Sequence, residues 1–362
     1  MTEGIKYIGS KRVLIPHILS LVTSLPVRTV LDGFSGTTRV SQALADGGYA
    51  VISNDTAAFS QVFATCYLLN RMPAEHYSPL IDHLNGLEGE DGWFTEHYGG
   101  EVGQGSSVQE DGRKRPWQVH VTRKLDAIRP EIDRIAPDAV EKAVLLTSLI
   151  LALDRVDSTV GHQVSYLRRW SRRSYDPLVL RMPRVTVRQG LHRVCRGDIF
   201  RLLEGVEVDL AYFDPPYGSS NDRMPPSRVR YASYYHLWNT VCLNDRPPLT
   251  GAANRRADAG DLSAASEFED FRRDADGRFR VLGSIERLIR AAKARWILLS
   301  YGNAGRVTGE ELLETLRGMG LRVDVSGIDH PRNVMASMKW TGAWTAPDAA
   351  PTREMFFLIE KG

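Results

Sequence analysis

The segment VEVDLAYFDPPY, residues 206–217, places two adjacent prolines directly after an apolar run of strand length. Because proline cannot donate a hydrogen bond to a sheet ladder, Pro215 and Pro216 must end that strand, and they fix the backbone that follows. Asp214 and Tyr217 are therefore held rigidly where the strand ends. In an open α/β sheet, ligands bind at the carboxyl ends of the strands. A plain turn also uses aspartate and proline, so the tetrapeptide alone leaves both interpretations open.

Strand-like and helix-like segments alternate along the chain. The runs VRTVLDGF (27–34) and YAVISND (49–55) are typical of buried strands, and a segment with helical periodicity follows each of them. Helical periodicity also covers 119–155, and polar loops are expected at 88–116 and 245–278. The alternation predicts an α/β fold with a mostly parallel sheet and helices on both faces.

The spacing of two strand ends indicates an insertion. Three successive βα units need only about 90 residues, whereas about twice that number separates Asp32, at the end of the first strand, from Asp214. We therefore predict a sheet domain formed by residues 1–75 and 190–362, with an inserted, mainly helical domain at residues 76–189.

A basic stripe at residues 161–196 follows the helical part of the insertion. It contains nine arginines and one acid, Asp176, interleaved with Tyr166, Trp170 and Tyr175. Guanidinium groups suit phosphate oxygens and aromatic rings suit bases, so the stripe favours a nucleic-acid partner over an ordinary solvated face. The arginines are Arg168, Arg169, Arg172, Arg173, Arg181, Arg184, Arg188, Arg193 and Arg196.

The composition is that of an ordinary soluble protein. Hydrophobic residues make up 43% of the chain, and no uninterrupted apolar run reaches membrane-spanning length. We therefore expect a cytoplasmic protein with no membrane partner. Cys66, Cys195 and Cys242 are far apart in the sequence and lack metal-binding spacing, so neither a disulfide framework nor a metal site is predicted.

Three motifs, in their order along the chain, resemble those of one enzyme family. KYIGSK (6–11), VLDGFSGT (30–37) and DPPY (214–217) are similar to motifs of the D12-class (alpha-group) adenine-N6 DNA methyltransferases, which carry an insertion before DPPY. The resemblance covers roughly residues 5–60 and 190–360, while the insertion matches only in position and basic character. It implies a Rossmann-like methyltransferase fold, S-adenosyl-L-methionine as methyl donor, and an inserted target-recognition domain.

The resemblance assigns catalysis to Asp214, Pro215, Pro216 and Tyr217, and their chemistry agrees with it. An exocyclic amino group is a poor nucleophile because its lone pair is conjugated with the ring. Asp214 can accept one amino hydrogen as the nitrogen becomes tetrahedral, and the Pro215 carbonyl can accept the other. Tyr217 offers a face on which an extruded base can stack. Because the target is otherwise buried in the duplex, base flipping is implied.

The resemblance also implies which residues bind the methyl donor. The loop that follows the first strand would line the methionine and sulfonium region, where glycine lets the backbone approach a ligand. Thr38 departs from the second glycine that the family usually has in this loop. Asp55 matches the family's acid that binds the ribose hydroxyls of the donor. Asp198 matches the residue that binds the donor's adenine. Either carboxylate could instead cap the helix that follows it. The full set is Tyr7, Lys11, Asp32, Phe34, Gly36, Thr37, Asp55, Asp198, Ile199 and Asp214.

Two further assignments follow from the motifs. Lys11 would suit the methionine carboxylate of the donor. The segment LSYGN (299–303) resembles a later segment of the family, and Tyr301 and Asn303 are expected to form walls of the pocket. The cluster Tyr234, Tyr235, His236 and Trp238 has helical spacing that favours packing, although its proximity to DPPY leaves a substrate role open.

Double-stranded DNA is the expected partner, and basic side chains are its predicted contacts. The loop that follows DPPY would clamp the displaced strand. The predicted nucleic-acid-binding residues are Lys6, Arg168, Arg169, Arg172, Arg173, Arg223, Arg228 and Arg230. The resemblance leaves open a companion restriction endonuclease.

Several alternative functions remain at this level. Cytosine-N4 DNA methyltransferases use the same amino chemistry, but more often begin the tetrapeptide with serine. Protein-glutamine and RNA amino-methyltransferases usually begin it with asparagine and lack a large basic insertion. An alternative that is not an enzyme is a nucleic-acid-binding module without catalytic activity, and the intact DPPY motif argues against it. The DNA sequence that is recognised does not follow from residue spacing.

Overall fold

A computed structural model of the chain describes residues 2–103, 105–218, 231–260, 264–330 and 352–361. Strands and helices alternate through most of these residues, as the sequence predicts. The strands are β1 (Thr29–Asp32), β2 (Ala50–Asp55), β3 (Gly99–Gly100), β4 (Trp117–Gln118), β5 (Arg193–Arg196), β6 (Glu207–Phe213), β7 (Leu249–Thr250), β8 (Arg255–Arg256), β9 (Lys293–Gly302), β10 (Arg322–His330) and β11 (Thr352–Glu360).

Helices connect most of these strands. The α-helices are α1 (Ile15–Thr23), α2 (Arg39–Asp46), α3 (Ala58–Leu68), α4 (Ala74–Gly86), α5 (Trp93–Tyr98), α6 (Val119–Ile135), α7 (Ala139–Val156), α8 (Ile199–Glu204), α9 (Tyr231–Tyr234), α10 (His236–Leu243), α11 (Arg280–Ala291) and α12 (Gly309–Gly318). Short 3₁₀ helices occur at Lys11–Val13, Arg172–Tyr175, Ala257–Ala259 and Glu267–Glu269. Within the described ranges, no helix combines the length and the apolarity that crossing a bilayer requires.

Seven strands form one sheet in the order β10–β11–β9–β6–β1–β2–β5. The strands from β9 to β5 pair in parallel, whereas β11 is antiparallel to both of its neighbours. This confirms the predicted α/β class and its mostly parallel, Rossmann-like sheet. Because β11 runs the other way, its first residues lie at the edge where the parallel strands end.

Strand β1 lies between β6 and β2, and its register brings the predicted site residues together. Asp32, the last residue of β1, is level with Tyr212 of β6 and Ser53 of β2. Asp214 follows β6 directly, so two acids that are remote in the sequence lie on adjacent strand ends. The polar residues that end these strands therefore share one edge of the sheet.

Helices cover both faces of the sheet, and successive residues of a strand point to opposite faces. Val30 and Leu210 are fully buried on one face, where they pack with α1, α2 and α3. Leu31 and Ala211 are fully buried on the other face, against α8, α11 and α12. Burial on both faces explains why these strands are nearly continuous apolar runs in the sequence.

The segment predicted to be an insertion, residues 76–189, contains α5, α6, α7 and most of α4, and its buried residues share a core with helices α3 and α10. Helices α6 and α7 account for the segment 119–155, with a break where Asp138 caps α7 by accepting from the backbone N–H groups of Val140 and Glu141. Buried residues of α3, α6, α7 and α10 form one continuous apolar cluster. The division at residues 76 and 189 therefore stays a prediction.

The segment expected to be a loop at 88–116 contains helix α5, so the prediction is wrong there. The Asp126 carboxylate accepts hydrogen bonds from the backbone N–H groups of Phe94 and Thr95 at 2.9 and 2.8 Å. Phe94 and Tyr98 are buried in the shared core. Tertiary contacts therefore stabilise a short helix in a segment rich in glycine and charge.

Candidate active site

A cavity of about 630 Å³ opens at the carboxyl edge of β1, β2 and β6. This volume lies within the range of small-molecule sites, and this edge is where open α/β sheets bind ligands. Every residue predicted to act in catalysis or donor binding lines the cavity. They are Tyr7, Lys11, Asp32, Phe34, Gly36, Thr37, Asp55, Asp198, Ile199, Asp214, Pro215, Pro216 and Tyr217.

The corner after β6 holds a buried cluster of charged residues. Lys11 Nζ lies 2.8 Å from Asp214 Oδ1 and 3.0 Å from Glu354 Oε1. The Lys11 and Glu354 side chains are almost fully buried, whereas 18% of the Asp214 side chain is exposed, toward the cavity that it lines. None of the sequence motifs contains Glu354, which precedes the apolar run at residues 355–359 of β11.

The charges of this cluster control one another. Burial raises the pKa of Asp214 to about 7; Lys11 opposes this shift and Glu354 adds to it. Burial disfavours the Lys11 ammonium, but Asp214, Tyr217 and Glu354 together hold its pKa well above the usual value. The ammonium therefore stays charged, while the Asp214 carboxyl titrates near neutrality. The predicted contact of Lys11 with a donor carboxylate stays a prediction, since its ammonium already donates to two protein carboxylates.

Asp32 provides a second buried carboxyl group on the cavity wall. Ser41 Oγ donates to Asp32 Oδ2 at 2.6 Å, whereas Oδ1 is buried and has no hydrogen-bond partner among the described residues. Burial raises the pKa of Asp32 to about 7, with Asp214 and Asp55 adding to the effect and the Ser41 hydrogen bond opposing it. An unpaired buried oxygen is costly, so a donor group on a ligand would be favoured at this position.

The loop between β1 and α2 approaches the cavity with unusual backbone angles. Gly36 has a φ of +48°, and a Cβ there would meet Tyr7 Oη at 3.1 Å. Thr38, at the position of the family's second glycine, also takes the left-handed conformation, with a φ of 61°. This costs a β-branched residue about 1–2 kcal/mol. The loop therefore keeps glycine-like geometry despite the substitution in the motif.

Asp55 anchors this loop. Its Oδ2 accepts from the Gly36 N–H at 2.8 Å, and its Oδ1 accepts from the Ala57 N–H at 2.9 Å. Burial raises the pKa of Asp55, although these backbone donors oppose the shift. Asp55 does not cap α3, which begins after Ala57 without a side-chain cap. Its carboxylate lines the cavity, and the predicted contact with ribose hydroxyls stays a prediction.

Asp198 caps helix α8, in agreement with the alternative interpretation of this residue. Its Oδ1 accepts from the N–H groups of Phe200 and Arg201 at the start of α8. The Asp198 side chain is exposed and also lines the cavity, so capping and ligand binding do not exclude each other.

An apolar wall near Asp198 includes a residue that sequence analysis missed. Phe34 packs edge-on against Phe213 and Phe268, with ring centroids 6.1 and 5.3 Å apart. Phe268 lies in the segment 245–278, where we expected a polar loop. The signal was weak, because one phenylalanine between acids resembles an ordinary surface residue.

Stacked tyrosines form another wall. Tyr7 stacks on Tyr235 with centroids 4.4 Å apart, and Tyr231 lies 5.8 Å from Tyr7. The Ile8 N–H donates to Tyr235 Oη at 2.6 Å, which ties the amino-terminal motif to α9 and α10. Tyr231 and Tyr235 line the cavity, whereas Tyr234, His236 and Trp238 do not and are buried.

The prediction that Tyr301 and Asn303 are pocket walls is wrong for the described cavity, because neither side chain lines it. Tyr301 is fully buried behind Tyr217, with ring centroids 4.9 Å apart. Asn303 Oδ1 instead accepts from the Arg353 N–H at 3.0 Å, across the β9–β11 pair. Tyr301 supports the DPPY corner from behind.

The basic residues divide into two groups. Lys6 Nζ and Arg173 Nη2 lie 2.6 and 2.7 Å from Asp157 Oδ1, so both charges are countered inside the protein. Arg168, Arg169 and Arg172 are exposed, with no ion pair to any described residue. These three are the stronger candidates for phosphate contact. Arg223, Arg228 and Arg230 lie outside the described residues.

Two aromatic residues of the basic stripe are buried inside the protein rather than exposed on its surface. Tyr166 and Trp170 are buried, and they donate hydrogen bonds to the carbonyl oxygens of Ala253 and Glu101. The expectation that their rings stack on bases is therefore wrong for the described conformation. Tyr175 is half exposed and keeps its ring available.

Known proteins match most of this chain. The profile of the D12 class N6 adenine-specific DNA methyltransferase family matches residues 7–253. Modification methylase StsI of Streptococcus sanguinis is 28% identical over 330 residues, which are 86% of this chain and 46% of that protein. Type II methyltransferase M.NlaIII of Neisseria lactamica is 26% identical over 87% of this chain and 88% of its own length.

Type II methyltransferase M.FokI of Planomicrobium okeanokoites is 26% identical over 87% of this chain and 47% of its own length. The chain thus spans about half the length of StsI and M.FokI but most of M.NlaIII. The family profile covers more than half of the chain, and its match includes residues 7–11 of the first motif and the whole of the other two, all of which contribute residues to the cavity. The chain therefore belongs to the D12 class N6 adenine-specific DNA methyltransferase family.

Proposed function

We propose that this chain is a site-specific DNA methyltransferase that transfers a methyl group from S-adenosyl-L-methionine to N6 of adenine, after the base has rotated out of the duplex. The observation that carries the proposal is that the Asp214–Tyr217 corner and the glycine loop open into one cavity. A methyl acceptor held at the corner would therefore meet a donor held by the loop. Family membership supports the same reaction.

The cavity fits S-adenosyl-L-methionine on the residues present. Gly36 has a φ of +48° and lies against Tyr7, so a side chain there would be strained, and Asp32 Oδ1 is a buried acceptor that no described residue bonds. Phe34 and Ile199 offer apolar contact, and Asp55 offers a carboxylate. When bound, this group supplies an electrophilic methyl carbon on a sulfonium.

The residues of the corner act on the amino group. In its ionised form, Asp214 accepts one amino hydrogen and so directs the nitrogen lone pair into the cavity. Lys11 Nζ contacts Asp214 Oδ1, and no contact of a described residue with Oδ2 competes for this interaction. The Pro215 carbonyl accepts the second hydrogen, Pro216 fixes the corner, and Tyr217 stacks on the base. Orientation of this kind supplies much of the rate enhancement.

We further propose that residues 76–189 form a target-recognition domain and that residues 1–75 and 190–362 form the catalytic domain. The exposed Arg168, Arg169 and Arg172 would bind DNA phosphates from the stripe that follows the helices. The relatives named as modification methylase and Type II methyltransferase support a place in a restriction-modification system with a companion endonuclease.

Expression in bacteria that lack DNA methylation tests the proposal, with methylation-sensitive sequencing of the DNA. The proposal predicts N6-methyladenine within one recurring sequence when the intact chain is expressed, and none with Asp214→Ala. N4-methylcytosine, or methylation confined to RNA or protein, would reject it.

A further inference from the structure

Glu354 reaches the candidate active site because of the direction of one strand. Strand β11 is antiparallel to β9, and Glu354 pairs in register with Gly302 at the end of β9. The beginning of β11 therefore lies at the same edge as Asp32 and Asp214. Glu354 is outside the part of the chain that the family profile matches, and none of the three motifs contains it.

The Glu354 carboxylate is buried and held at two points. Its side chain is 3% exposed, Lys11 Nζ lies 3.0 Å from Oε1, and Ser300 Oγ donates to the same oxygen at 2.5 Å. Phe356, the next residue on the same face of β11, is buried in the apolar core. Burying a charge here is costly, and apolar replacements of buried ion pairs are often more stable. Stability alone is therefore a weak reason for an acid at this position.

The cluster of Lys11, Asp214 and Glu354 contains more acidic than basic groups. Asp214 and Glu354 share the single ammonium of Lys11, so the three ionised groups carry one net negative charge. An amine that attacks a sulfonium methyl carbon gains positive charge as the new N–C bond forms; the C–S bonding pair stays on the departing thioether, and the methylated nitrogen then loses one proton to solvent. A negative surplus beside the nitrogen would stabilise that change, whereas an isolated Lys11–Asp214 pair would be neutral.

We propose that Glu354 is a positioning residue for methyl transfer: it takes a share of the Lys11 ammonium, so that Asp214 is held in place yet keeps negative charge for the reacting amine. This inference rests on the proposed function and deepens it. Glu354 acts through Lys11 and is not among the residues that line the cavity.

Removing the Glu354 charge should change the pH dependence of methyl transfer. Burial raises the pKa of Asp214, Lys11 lowers it and Glu354 raises it again, so removing the Glu354 charge should lower it. Because the ionised form accepts the amino hydrogen, the acid limb of the rate profile would then move to lower pH. The other titratable groups whose charges couple to Asp214 are Asp32, Tyr7, Tyr212, Tyr217 and Tyr231.

Single-turnover methylation of duplex DNA across pH, with Glu354→Gln, Glu354→Asp and the intact chain, tests the inference. Glu354→Gln should slow the chemical step about 10- to 100-fold, as expected for one fixed charge near a reacting group, and should move the acid limb to lower pH. Glu354→Asp keeps the charge and should keep the limb near its original position. Glu360→Gln, on the same strand but paired with Arg295, is the matched control and should change neither quantity.

Ser300→Ala keeps all three charges and removes only the hydroxyl that holds Glu354, so it should slow the step without moving the acid limb. It keeps the test decisive if Glu354→Gln folds poorly, because an unchanged rate in Ser300→Ala would then overturn the inference. Equal pH profiles for Glu354→Gln and the intact chain would also overturn it. An intact chain that methylates no adenine would instead reject the proposed function.

Discussion

Lys11 Nζ lies 2.8 Å from Asp214 Oδ1, which joins the amino-terminal motif and the corner after β6 in one buried ion pair. Each residue shifts the pKa of the other. Lys11 opposes the rise that burial causes in the pKa of Asp214, and Asp214 helps to keep the Lys11 ammonium charged. The pair fixes the position and the charge of the group that we propose acts on the substrate. Substitutions at its two ends should therefore have different and separable effects.

Replacing Asp214 with alanine should abolish methyl transfer while weakening donor binding far less, although Asp214 also belongs to the predicted donor-binding set. The lost contact belongs to the reacting amine, so the rate of the chemical step should fall by at least about 100-fold. Lys11 keeps Glu354 as a partner, which avoids an unpaired buried cation. Isothermal titration with the donor and single-turnover assays measure the two effects. An equal loss of donor affinity would assign Asp214 mainly to donor binding.

Replacing Lys11 with methionine should move the acid limb of the pH–rate profile to higher pH. Lys11 lowers the pKa of Asp214, so its removal raises that pKa further above about 7, and activity is lost at a higher pH as the solution is acidified. The direction is opposite to that expected for Glu354→Gln. A profile that stays in place would show that the titration of Asp214 does not limit the reaction.

Glycine substitutions separate backbone strain from contact with the cavity. Gly36→Ala places a Cβ 3.1 Å from Tyr7 Oη at a φ of +48°, whereas Gly48→Ala places one in open space at a φ of +89°. Both should lower the free energy of unfolding by about 1–2 kcal/mol. Donor affinity should fall only in Gly36→Ala. Equal donor affinity in the two variants would show that the loop does not contact the donor.

The buried Asp32 should make the free protein less stable as the pH rises. Its pKa is raised from 3.8 to about 7, so the folded state binds the proton more tightly than the unfolded chain. The stabilisation is complete below pH 4 and is lost as the pH rises through about 7. Asp32→Asn should therefore raise the free energy of unfolding at pH 8 by on the order of 1–3 kcal/mol while weakening donor binding. Urea denaturation at pH 5 and pH 8 checks the sign, and a destabilised variant at pH 8 would contradict it.

The exposed arginines should account for part of the salt dependence of DNA binding. Alanine at both Arg168 and Arg169 should weaken binding and reduce the slope of log K against log salt by up to about 2, since each phosphate contact contributes about 0.9. Arg317 and Arg322, which are exposed on α12 and β10, provide a control pair of equal charge. Fluorescence anisotropy measures the slope for each double variant. An equal decrease in slope for the Arg168/Arg169 pair and the Arg317/Arg322 pair would indicate a general effect of charge.

The sequence predicted the sheet and most of the cavity because both depend on local signals. Apolar runs that end in Asp32, Asp55 and Phe213 predicted strands, and parallel strands bring their ends to one edge by topology alone. The cavity residues at those ends are therefore identifiable from the sequence.

Residues that reach the site from elsewhere were not predictable in the same way. Glu354 lies at this edge only because β11 is antiparallel, and the sequence of β11 does not encode the direction of the strand in the sheet. Phe268 comes from a segment that looks like a polar loop. Tyr166 and Trp170 resembled base-stacking residues among arginines, yet packing around the insertion buries both rings. Each miss concerns a tertiary contact between elements that are distant in sequence.

We propose that methyl transfer to the amino group of adenine in DNA takes place at the Asp214–Tyr217 corner. The most direct test is incubation of the purified chain with duplex DNA and S-adenosyl-L-methionine carrying a labelled methyl group, followed by nucleoside analysis of the DNA. We expect labelled N6-methyladenine with the intact chain and none with Asp214→Ala. Label in cytosine, or adenine label that persists in Asp214→Ala, would contradict this proposal.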